Sequence, residues 1–93
     1  MASIRRLKKD INFLTSELVT HAFINNTLSK MSDEEVKKAV EDAIDFRNEF
    51  IDRANNPDGK DNPTIVKKHY KKLRKDMISS FSKQFDALAE KLN

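Results

Sequence analysis

His21 and His69 are the side chains of this 93-residue chain best suited to proton transfer or metal ligation near neutral pH. A metal centre in a helical protein needs several such ligands converging, with spacings such as Glu-x-x-His on one helix. Neither histidine carries that spacing. Set on parallel helices, the two rings would stand about 16 Å apart along the axis, too far to share a proton or an ion. Asp58-Gly59-Lys60-Asp61 lacks the ligand spacing of a calcium loop, and no glycine-rich phosphate loop occurs. Without cysteine there is no thiolate and no disulfide framework, which fits a reducing cytoplasm. The serines and threonines have no histidine base with an orienting acid nearby in sequence. The residues therefore assign no catalytic group, no metal ligand and no cofactor. The expectation is a protein that is not an enzyme and acts through its surfaces.

Charge is what the sequence distributes unevenly. Residues 1–30 carry five basic and two acidic side chains, a net of +3. Residues 31–59 carry four basic and nine acidic, a net of −5, and residues 60–93 carry nine basic and four acidic, a net of +5. Segregation of this kind shapes a molecule's field and its partners. The basic residues peak between Lys67 and Lys75. On a helical wheel Lys68, Lys71, Lys72 and Lys75 point away from the apolar stripe, and Lys67 flanks it. With Arg5, Arg6 and Lys9 at the same end, they form a candidate polyanion-binding surface that could neutralise phosphates. No exposed aromatic residue is interleaved for base stacking, Tyr70 falling on the apolar stripe, so a solvated face is the simpler reading.

A second pattern is the near absence of charge from Ile11 to Ser29, where Glu17 alone is ionised. A bundle helix normally shows water a charged back. Here Phe13 and Ile24 project from one outer side and Val19 and Phe23 from another, while Leu14, Leu18 and Ala22 follow the inner seam. Phe13, Val19, Thr20, Phe23 and Ile24 are thus a candidate interface for a second copy or another protein. A third pattern is Arg47, in the middle of the apolar face made by Val40, Ala43, Phe50 and Ala54. A cation there must be paired or reach out to water. Counting from the first turn sets it level with Glu17, and counting from the second loop sets it level with Tyr70. Glu17, Arg47 and Tyr70 are therefore read as a structural polar set that fixes helix register, with a binding pocket as the alternative.

These residues are positioned by three segments of helical period. Ile4, Leu7, Ile11, Leu14 and Leu18 alternate spacings of three and four, and Ser3 can cap their start. Ser32-Asp33-Glu34-Glu35 reads as a capping box, followed by Val36, Val40, Ala43, Ile44, Phe50, Ile51 and Ala54. Both prolines and the single glycine fall within residues 57–63. There Pro57-Asp58-Gly59 is a turn, and Asn62-Pro63 a cap followed by the favoured first helical residue. The last stripe is Val66, Tyr70, Leu73, Met77, Phe81, Phe85, Leu88 and Leu92. The prediction is an all-α single domain over residues 1–93, an up-down-up antiparallel three-helix bundle with helices at about 3–29, 33–55 and 63–92. The N-terminus lacks the apolar core of a signal peptide, and no stretch is apolar enough to span a membrane.

Residues 4–11, Ile-Arg-Arg-Leu-Lys-Lys-Asp-Ile, and 56–63, Asn-Pro-Asp-Gly-Lys-Asp-Asn-Pro, resemble those of a family of short helical bacterial proteins of unknown function. The resemblance runs the length of the chain. It implies a helical bundle and carries over no active-site residue. Together these readings predict a small intracellular interaction module, self-associating through the charge-poor half of the first helix. The alternative is a nucleic-acid-binding accessory protein using its basic end.

Overall fold

The three apolar seams become three α-helices. The computed structural model describes residues 4–57, Gly59 and residues 61–92. Helix α1 spans Ile4–Thr27, α2 Asp33–Asn55 and α3 Pro63–Leu92. No strand occurs among the described residues. Ser3, and Asp58 and Lys60 of the turn, lie outside them.

The ends of the helices are set by side chains. Ser32 caps α2 by accepting from the Glu35 amide at 3.2 Å, and the Glu35 carboxylate accepts from the Ser32 amide at 3.0 Å, completing the capping box. Asn62 caps α3, its Oδ1 accepting from the amides of Thr64 and Ile65. Gly59 has a φ of 65°, and a Cβ there would overlap the Ile65 side chain. Helix α1 stops two residues short of the expected Ser29. Ser29 itself adopts a left-handed φ of 59°. Its amide donates to Asn26 O and that of Lys30 to Asn25 O, the pair of bonds that closes many helix C-termini. That position usually belongs to glycine, because a side chain there costs roughly 1–2 kcal/mol.

Each helix packs against the other two. The core holds Leu7, Ile11, Leu18 and Ala22 from α1, Val36, Ala43, Phe46, Phe50 and Ala54 from α2, and Leu73, Met77 and Leu88 from α3, with Met31 from the first connection. Polar contacts give the register. Asn26 bonds Asp33 and Asn12 bonds Arg47 between α1 and α2. Arg53 meets Asp76, Gln84 meets Asp42 O and Lys91 meets Glu35 between α2 and α3. The buried Asn25 donates from Nδ2 to Leu88 O at 2.9 Å, tying the end of α1 to the end of α3.

Three details differ from the seams read in the sequence, the first being Ile4, which is 44% exposed at the start of α1. Ile44 is 46% exposed, and Phe46 takes the core position beside it. Both lie on a wide apolar stripe, and α3 packs over the Phe46 side, where Asp42 and Arg53 also meet it. Leu92, expected on the inner stripe, is 40% exposed because it ends the last turn.

Candidate interaction surface

The inner side of α1 is closed off by Leu7, Ile11, Leu18, Ala22 and Asn25. At 100° per residue the opposite side holds Phe13, Ser16, Thr20, Ile24 and Thr27. Phe13 is 61% exposed, Phe23 54%, Ile24 41% and Leu28 55%. They are not screened by the chain's own loops. Thr20 is exposed among them, whereas Val19 is half-buried and packs against the core on the α2 side. Phe23 forms a ridge between two shallow open grooves. One, of about 380 Å³, is lined by Val19, Thr20, Phe23, Ile24, Thr27 and Leu28. The other, of about 390 Å³, runs between α1 and α2 past Val36 and Val40. Leu28 was not singled out in the sequence. The signal was there, four residues beyond Ile24, but it fell at the expected end of the helix.

The basic residues gather toward the opposite end of α1. Arg5, Arg6 and Lys9, with Asp10, line an open groove of about 340 Å³. Lys67, Lys68, Lys71, Lys72 and Lys75 are all exposed on α3. His21, late in α1, packs edge-on against Phe85, late in α3, with ring centroids 4.8 Å apart. The basic residues are thus spread over two helices.

The expected polar set is not assembled. Arg47 is half-buried and donates from Nε to Asn12 Oδ1 at 2.7 Å, not to Glu17 or Tyr70. Glu17 instead lies 3.5 Å from His21 on its own helix, and the Tyr70 hydroxyl donates to Ala54 O at 3.0 Å. The reason is register. Arg47 stands level with Asn12, five residues or about 1.4 turns before Glu17, and the early stop at Thr27 supplies two of those residues. Arg47 still solves its problem as a cation on an apolar face must, by reaching to the edge and finding a hydrogen-bond acceptor.

The histidines stand farther apart than expected. His21 is level with Phe85, sixteen residues beyond His69, or about 24 Å along α3. His69 bonds Arg53 O through Nε2 at 2.8 Å. Among the described residues no three His, Asp or Glu side chains converge as metal ligands, and no helix is long and apolar enough to cross a membrane. The titrations that stand out are in pairs that join or brace helices. The Lys91 ammonium, 2.6 Å from Glu35, and the Ser32 amide hold the Glu35 carboxyl down at about 2. The Asp42 carboxylate raises the Lys38 ammonium.

No family model, curated protein or solved structure matches the chain.

Proposed function

We propose that this chain is a small interaction module that self-associates through the charge-poor half of α1. We read its frame as an up-down-up antiparallel bundle, a reading supported by the opposed order of the Asn12–Arg47 and Asn26–Asp33 bonds. One observation carries the functional reading. Phe13, Phe23 and Ile24 lie exposed along the charge-poor half of α1, with Leu28 exposed just beyond its end, where a solvated helix would show lysines and glutamates. Covering such side chains gains about 1.5–3 kcal/mol each, and several together make a surface that associates. Small polar residues beside them, Asn12, Ser16, Thr20 and Thr27, suit the rim of an interface.

Light scattering at high micromolar concentration tests the reading. The wild-type chain is expected to run at twice its monomer mass. The Phe13→Lys/Ile24→Lys variant is expected to be a folded monomer by circular dichroism. A wild-type chain that stays monomeric refutes the proposal.

A second reading rests on separate observations, the exposure of Lys67, Lys68, Lys71, Lys72 and Lys75 on α3 and the open groove of Arg5, Arg6 and Lys9 on α1. It makes the protein a nucleic-acid-binding accessory factor. Retention on heparin that falls steeply with salt supports it, and elution at low salt removes it.

A further inference from the structure

We infer that the occupant of the α1 face is a second copy of this chain in antiparallel register, with Phe13 of each copy against Ile24 of the other. This rests on the self-association proposed above and adds its direction. Phe13 and Ile24 are eleven residues apart, about three turns, and so recur on one strip of the helix. A two-fold axis perpendicular to α1 then makes the same contact twice, as an isologous interface requires. Ser16 and Thr20 fall near the axis, where small side chains let two helices approach.

Charge selects this direction. Arg5 and Lys9 are exposed on the N-terminal part of the same side of α1. In the antiparallel register Lys9 lies level with Leu28, at the carbonyl end of the other copy's α1, and Arg5 lies beyond that end. The cations at the start of each copy thus face the carbonyl end of the other copy's helix, with Lys30 as a like charge near it. In the parallel register Arg5 and Lys9 would meet their own copies. Helix α1 has no acidic residue in its first turn and no basic residue in its last. Its charges therefore oppose its own dipole, and an antiparallel copy supplies the missing complement at both ends.

The chain has no cysteine, so single cysteines report the geometry without background. In the proposed register the two Thr20 positions are about 4–5 Å apart along the axis and the two Lys9 positions about 28 Å. Under mild oxidation Thr20→Cys should cross-link with itself. Lys9→Cys and Leu28→Cys should each fail alone and cross-link when mixed. Dimer dissociation should also rise at least tenfold from low to high salt, as screened charges require. If light scattering shows a dimer but Lys9→Cys cross-links with itself, or the mixture does not, the antiparallel register is overturned and the proposed self-association stands. If the wild-type chain is monomeric, the self-association itself fails and this inference falls with it.

Discussion

Helices α1 and α3 bury the same kind of residue and show water opposite kinds. Inside, Leu18 and Leu73 are both buried to within a few per cent in one core. Outside, α3 carries Lys68, Lys71, Lys72 and Lys75, while α1 beyond Asp10 carries Phe13, Thr20, Ile24 and Thr27. The inner faces are what folding demands, and either outer face is compatible with them. The outer face of α1 is therefore free to serve something other than folding, and that is the argument for an interface there.

The largest expected effect would break the comparison outright. Phe13→Lys/Ile24→Lys should raise the self-association constant for dissociation at least about a hundredfold. Ile78→Lys, at the 53% exposed isoleucine on α3, should leave it unchanged. Equal effects measured by sedimentation would mean that the two outer faces do not differ in kind. Next, Leu18→Ala and Leu73→Ala should each lower stability by about 2–5 kcal/mol in urea unfolding. A loss below about 1 kcal/mol at one of them would show that the inner faces are not equivalent after all. Smaller, and opposite in sign, Ser29→Gly should raise stability by about 0.5–1 kcal/mol. It relieves a left-handed serine, offset in part by the added freedom of glycine in the unfolded chain. A loss of stability would mean that the Ser29 side chain contributes something its backbone geometry does not reveal.

The smallest effect concerns Lys91, which joins α3 to α2 by an ion pair with Glu35. The folded state holds the Glu35 carboxyl at about 2, below its ordinary 4.5. The folded form therefore binds that proton less readily than the unfolded form. This contribution to stability is present above pH 4.5 and is lost as pH falls toward 2. Lys91→Gln should flatten the loss over that window while changing little else. Identical acid titrations of the two proteins would remove Lys91 as the cause.

How far the sequence went can be seen at Ser29 and Phe46. Spacing alone located three helices, and the capping box at Ser32 and the cap at Asn62 predicted two helix starts to the residue. The end of α1 was not legible, because a left-handed serine has no signature comparable to a glycine. That error of two residues was part of what moved Arg47, whose acceptor became Asn12 in place of Glu17. Ile44 and Phe46 lie at opposite edges of the apolar stripe, about 160° apart, and the wheel does not show over which edge a third helix will lie. The exposed strip on α1 was legible because it depends on the absence of charge, which needs no register.

Gly59 bears on how this protein can vary. Its positive φ and the Ile65 side chain beside it leave no room for a Cβ, although the position is at the surface between two helices. Among descendants of this chain, position 59 should therefore remain glycine while its neighbours drift. A fixed surface residue next to charged ones invites interpretation as a binding determinant. Here the constancy would record a turn that accepts a single residue type, and the interface would have to be sought on α1, where Phe13 and Ile24 can exchange with any large apolar side chain and leave a weaker trace.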